Sequence, residues 1–105
     1  MITEIEIIKI AKDYLKMKEQ KGGIELGIQE ELSIKKNYGI IFSYNSKEYI
    51  ETKDEGASLI GNSSFLVENK TGKIVVFGTN RSDEYYIQEY EAGRWPDMPR
   101  LSDFQ

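Results

Sequence analysis

Three apolar runs of strand length, residues 38–44, 64–67 and 73–78, most narrow what this chain can fold into. The last two are separated by Glu68-Asn69-Lys70-Thr71-Gly72, a polar segment whose closing glycine supplies the φ > 0 residue that a short hairpin loop needs. Strands joined in this way need a covering layer. Between residues 45 and 63 the chain inserts a polar, acid-rich segment longer than a tight hairpin requires. Extra loop length without local structure is usually kept for function, so this insertion is the place for something other than scaffold.

The covering layer is written at the amino terminus. Thr3-Glu4-Ile5-Glu6 reads as a capping box, and the helix it starts is expected to run from Thr3 to about Glu19, before Gly22-Gly23. At 100° per residue Ile7, Ile8, Ile10, Ala11, Tyr14, Leu15 and Met17 occupy about half of its circumference, a face wide enough to lie in a curved sheet. From Ile24 the apolar residues alternate through Leu26, Ile28, Leu32 and Ile34. That is a half-buried strand, interrupted at Gln29-Glu30-Glu31 by either a bulge or a break. In the next run Tyr38, Ile40, Phe42 and Tyr44 are expected on one face, with Ile41 and Ser43 on the other. Four strands in sequence order favour an antiparallel meander. Ser82 followed by Asp83 and Glu84 is an N-cap with first-turn carboxylates, opening a short helix to about Glu91. The expected architecture is α+β: one N-terminal helix on a four-stranded antiparallel sheet, close to a cystatin-like half-barrel, with a short C-terminal helix. Residues 1–91 form one domain, and residues 92–105, with two prolines and no periodicity, form an irregular tail that is ordered only if Trp95 finds a pocket.

With 105 residues, no cysteine and no histidine, the chain has no disulfide, thiolate nucleophile, histidine base or usual zinc ligand set. Its net charge of −4 disfavours direct nucleic-acid binding, which draws its affinity from Lys and Arg on phosphates. The first residues do not read as a signal peptide, and no run approaches transmembrane length. Residues 56–63 have the glycine spacing of a phosphate-binding loop, but Asn62 stands where that motif needs lysine. Glu48, Glu51, Asp54 and Glu55 match no Ca²⁺-loop spacing and have no second type of catalytic partner. No enzyme activity, metal or cofactor is therefore expected. Tyr44, Tyr86 and Tyr90 are expected to seat the last helix on the sheet, while Tyr49 and Tyr85 are freer, and Trp95 with Arg94 and Arg100 has the composition of an interface anchor.

The order Tyr44-Asn45-Ser46-Lys47-Glu48-Tyr49-Ile50-Glu51-Thr52, then Gly61-Asn62, Thr71-Gly72, Gly78-Thr79 and the segment from Glu84 to Glu91, resembles the YrhB-like, immunity protein 35 family over residues 2–91. Two positions depart from it: Ile40 replaces an aromatic, and Ser43 replaces a bulkier residue. The resemblance implies a small cytoplasmic protein of bacterial polymorphic toxin systems that binds and neutralises a cognate toxin domain, or alternatively a small heat-stable chaperone. The expected partner is a toxin protein, with no nucleic acid and no membrane. The partner surface is expected on the insertion, at Glu48, Tyr49, Glu51, Asp54 and Glu55, flanked by Tyr85, Glu89 and Trp95.

Overall fold

The computed structural model describes residues 1–59 and 61–96. Helix α1 (Glu4–Gly22) opens on the expected capping box: Thr3 Oγ1 accepts from the Glu6 amide at 3.2 Å, and Glu6 Oε1 accepts from the Thr3 amide at 3.0 Å. It runs three residues past the expected Glu19, because Gln20 and Lys21 are good helix formers and Gly23, rather than Gly22, takes the left-handed closing position. Ile7, Ala11 and Leu15, one i, i+4 row, are buried, with Ile8, Ile10 and Tyr14 packed beside them. Met17, expected on this face, is 47% exposed. It lies about 200° around the helix from Leu15, at the margin of the apolar stripe.

The strand expected after the helix is two short strands, β1 (Leu26–Ile28) and β2 (Ile34–Lys36), separated by a 3₁₀ turn at Glu30–Leu32. The interruption at residues 29–31 is thus a break, and Ile24 at the start of the expected alternation and Leu32 in the 3₁₀ turn are half exposed. The following run is broken in step, into β3 (Gly39–Phe42) and β4 (Tyr44–Ser46). With β5 (Phe65–Glu68) and β6 (Ile74–Val76), the antiparallel order is β2-β3-β5-β6, while β1 pairs with β4 as a second, two-stranded sheet. One backbone bond, Gln29 to the Ser43 carbonyl at 2.8 Å, carries the pairing across the break. The sheets curve around α1 without closing into a barrel.

Phe65 organises the α1 face. Its ring centroid lies 4.6 Å from that of Tyr14, 5.6 Å from Phe42 and 6.2 Å from Tyr44, with Ile40 and Val67 completing the layer. The opposite face holds Ile41, Leu66, Val75 and Phe77, and α3 (Asp83–Glu91), capped by Ser82 as expected, covers it with Tyr86 and Ile87. Tyr86 stacks on Phe77 at 5.8 Å and lies so close to Gly78 that a Cβ there would sit 2.7 Å from the ring. Tyr90 also seats this helix, whereas Tyr44 belongs to the α1 face, so only two of the three tyrosines assigned to α3 serve it. Tyr38 crosses over as well. It packs on Tyr90 at 4.9 Å rather than beside Ile40. The alternation fails at Gly39, whose φ of 155° re-aims the chain and where a Cβ would collide with the Val67 carbonyl.

Two tyrosine–carboxylate pairs pin α3 to the sheet. Tyr90 donates to Glu68 of β5, and Tyr38 donates to Glu91 at 2.7 Å. The bond from Tyr38, with Lys36 at 3.4 Å, holds the Glu91 carboxyl below its ordinary value. Burial first, and the Glu68 carboxylate second, push the Tyr90 hydroxyl from 10.0 up to about 12, and burial and Glu91 push Tyr38 in the same direction.

Two outcomes follow. Leu15→Ala should lower unfolding free energy by ~2–5 kcal/mol in urea titration, whereas Met17→Ala should change it by no more than about 0.5 kcal/mol. Equal effects would contradict the buried row. Because the folded chain keeps the Tyr90 proton where the unfolded chain releases it, that contribution is whole below pH 10.0 and is lost as pH rises to about 12. The urea midpoint of Tyr90→Phe should therefore fall less over this interval than that of the parent chain, with a residual fall from Tyr38. Parallel curves would contradict it.

Candidate functional site

The insertion is not the structureless acidic loop expected from its composition. It begins with a helix, α2 (Lys47–Thr52), and continues through a 3₁₀ turn at Glu55–Ala57. Ser46 starts the helix, its hydroxyl accepting from the Tyr49 amide at 3.0 Å. Lys53 ends it in the left-handed conformation, φ 60°, and its amide donates to the Tyr49 carbonyl at 2.7 Å. Six residues are too few to show a helical period in sequence, and no glycine marks the stop. Asp54 Oδ1 then accepts from the Gly56 amide at 3.0 Å and shapes the turn. The described part of the glycine-spaced segment opens in a 3₁₀ turn and contains no α-helix, so it is not a strand-to-helix phosphate cradle.

Side chains fasten the insertion to the scaffold. Asn45, only 7% exposed, accepts at Oδ1 from the amides of Ser46 and Leu59, both at 2.8 Å, and donates from Nδ2 to Ser58 Oγ at 3.2 Å. Ser46 donates to the Ala57 carbonyl at 2.6 Å, and Asn62 donates to the Tyr44 carbonyl. Ile50 of α2 sits against Gly27 of β1, where a Cβ would lie 3.0 Å from Ile50 Cδ1. Leu59 packs on the α1 core. Asn45, Ser46 and Asn62 are positioning groups that the reading by charge and aromaticity missed. Their signal was available: an Asn-Ser pair directly after an apolar strand, and a second asparagine where the chain returns.

This fastening forms an open cleft of about 580 Å³, lined by Glu48 and Glu51 of α2 and by Ile24, Glu25, Lys47 and Leu59, with residues 56–58 on the far wall. Lys47 faces Glu25 at 3.6 Å. Among the described residues Glu48, Glu51, Asp54 and Glu55 have no ion-pair partner, and no group of three or more acidic side chains is close enough to hold a metal ion. Asp54 and Glu55 are exposed on the turn, outside the cleft lining. Tyr49 is half-buried, with the Lys53 ammonium 5.7 Å from its ring centroid.

The other three expected site residues form their own group on α3 and the segment after it. Tyr85 meets Tyr86 edge-on at 5.2 Å, with the Arg81 guanidinium 5.5 Å from its ring. Glu89 pairs with Arg94, and its side chain is only 13% exposed. Trp95 finds a pocket: it lies edge-on to Tyr86 at 4.8 Å, and Nε1 donates to the Val76 carbonyl at 3.1 Å, capping edge strand β6. Of the tail, residues through Pro96 are described, and Arg100 lies outside them. Among the described residues no hydrogen bond, ion pair or ring contact joins this group to the insertion group.

No helix among the described residues is long and apolar enough to cross a membrane. The family model for immunity protein 35 matches residues 6–93, from the first turn of α1 to the turn that follows α3. A curated relative, described as the uncharacterized protein YrhB of Escherichia coli (strain K12), is 40% identical over 53 residues, which make up 50% of this chain and 56% of that protein. The chain spans about half the length of the curated relative it matches. No solved structure matches. A match that takes in both helix layers, the four-stranded sheet and the fastened insertion covers most of the chain, and on it the protein belongs to the immunity protein 35 family.

Proposed function

We propose that this protein is a cytoplasmic immunity protein that acts by binding, not by catalysis, and neutralises a cognate toxin domain through the insertion. The observation that carries the reading is that α2 presents Glu48 and Glu51, carboxylates with no ion-pair partner among the described residues, on a cleft next to apolar Ile24 and Leu59, with Asp54 and Glu55 exposed at its end. The protein's other carboxylates include five in ion pairs, at Glu4, Asp13, Glu25, Glu89 and Glu91. Free carboxylates steer a basic partner and raise the rate of encounter. The apolar wall and Tyr49 then supply the burial that slows release. Against a nuclease-like toxin the carboxylates stand where phosphates would; against a protease-like toxin the turn and Tyr49 act as a plug. Tyr85 and Glu89 of α3 form the flank of the surface.

The left-handed Lys53 supports the same placement, since non-glycine residues in that conformation gather at functional segments. The alternative of a general holdase calls for a broad apolar surface. The apolar-floored groove between α1 and β1–β2, with Ile8, Ile28, Ile40 and Phe42 in its lining, measures about 300 Å³, room for a few side chains and not for an unfolded segment. That size favours a stoichiometric binder.

The test uses the protein encoded beside this gene as the candidate toxin. The pair should form a stoichiometric complex and co-expression should restore growth, without suppression of the aggregation of unrelated proteins. Glu51→Ala with Asp54→Ala should slow association about tenfold at low salt and flatten its salt dependence. Tyr49→Ala should speed dissociation by tenfold or more, on the order of a hot-spot residue. Unchanged kinetics in a folded triple variant would move the surface elsewhere, first to the face bearing Arg94 and Trp95.

A further inference from the structure

We infer that Asn45 is a positioning residue that latches the insertion as a separately opening unit. Its bearing on partner binding rests on the function proposed above; the latch itself does not.

The observation is where the hydrogen bonds go. Through backbone groups, β4 bonds to β1, and among the described residues the return segment, 57–59 and 61–62, makes no backbone–backbone bond to it. Among the described residues every hydrogen bond from residues 44–46 to that segment passes through a side chain: Asn45 to Leu59 and Ser58, Ser46 to Ala57, and Asn62 to Tyr44. The neighbouring pair β3–β5 is different, being a four-residue antiparallel ladder buried on both faces. A ladder of that kind opens only with the sheet. Side-chain bonds break by rotation of single side chains, Asn45, Ser46 and Asn62, and water then satisfies the freed groups, so the insertion opens at a lower free energy than the core. Asn45 is the hub, since its one amide group holds both the entry to α2 and the return at residues 58 and 59. When the latch is closed, Glu48, Tyr49 and Glu51 hold fixed positions and the cleft exists. When it is open, the cleft loses its far wall.

Amide hydrogen exchange on the isolated full chain, read across low urea concentrations, tests this without a partner, so its failure is separable from failure of the function. In the parent chain the amides of Lys53 and Leu59 should exchange faster than those of Leu66 and Val67, with little urea dependence, because a local opening exposes little surface. Asn45→Ala should speed exchange at Lys53 and Leu59 by about tenfold or more and keep it urea-independent. Val75→Ala, on the far face of the sheet, should speed Leu66 and Val67 and leave Lys53 and Leu59 unchanged, since it weakens the closed and open insertion equally. Should Asn45→Ala fail to fold, Ser58→Ala, which removes one of the three bonds, should give a smaller acceleration confined to the same amides. Insertion amides that share the rate and urea dependence of β5 in the parent chain would overturn the inference. So would insertion exchange indifferent to both latch variants.

Discussion

Strand β5 is covered on both faces. Phe65, Leu66 and Val67 are three consecutive residues with no exposed surface, and a strand alternates its side chains, so two separate layers must meet it. Phe65 and Val67 call for α1, and Leu66 calls for α3. Neither helix is optional once that strand is central. The same demand reaches outward to Gly39 and Gly78, because chain approaching this closely leaves no room for a Cβ against Val67 or Tyr86. It also accounts for Tyr86 and Tyr90 of α3, which are large enough to cover a sheet face, while Tyr90 donates to Glu68 at its rim and Tyr38 donates back to Glu91 of the helix.

The second constraint is the break shared by the edge strands. At Ser43 and Gln29 the long hairpin bends, and beyond the bend β1 and β4 leave the four-stranded sheet. Ser43, small where the family resemblance expects bulk, lies within 3.2 Å of Ser64 Oγ, and Ser64 in turn donates to Asp83 at the start of α3. A chain of small polar groups therefore fills the place where the two sheets part. Past that point the described residues of the return chain make no backbone bond to β4. Asn45 and Asn62 supply by side chain what the backbone does not.

Legibility in the sequence follows this division between packing and fastening. The capping box at Thr3, the apolar row of α1, the hairpin ending in Gly72 and the Ser82 cap are local signals with one physical meaning each, and the structure bears them out. The move of Tyr38 away from Ile40, Phe42 and Tyr44 to the α3 face was not legible, because strict alternation carries no information about a glycine that re-aims the chain. Helix α2 was hidden by its brevity and by a lysine at the position where glycine usually ends a helix. Its two acidic cleft residues, Glu48 and Glu51, were chosen for charge, but their placement depends on Ile50 reaching Gly27 across a tertiary gap. Trp95 read equally as an interface anchor and as a tail residue folded back on its own domain, and its anchorage is internal, on Tyr86 and the Val76 carbonyl.

These features separate what the fold must keep from what it can vary. The apolar layers around β5 tolerate little change, since each buried side chain answers one on a helix. The insertion touches those layers through Leu59 and rests on Gly27 through Ile50, while its carboxylates face outward. Substituting Glu48, Glu51, Asp54 or Glu55 therefore alters the surface without altering the core, whereas substituting Asn45 or Ser46 alters how firmly that surface is held. A protein that must match one partner closely benefits from such a split, because affinity depends on the geometry of the contact residues and on the cost of fixing them beforehand. On the proposed function the two quantities would reside in different residues of one motif, with Asn45 and Ser46 setting the hold and Glu48, Tyr49 and Glu51 the contact.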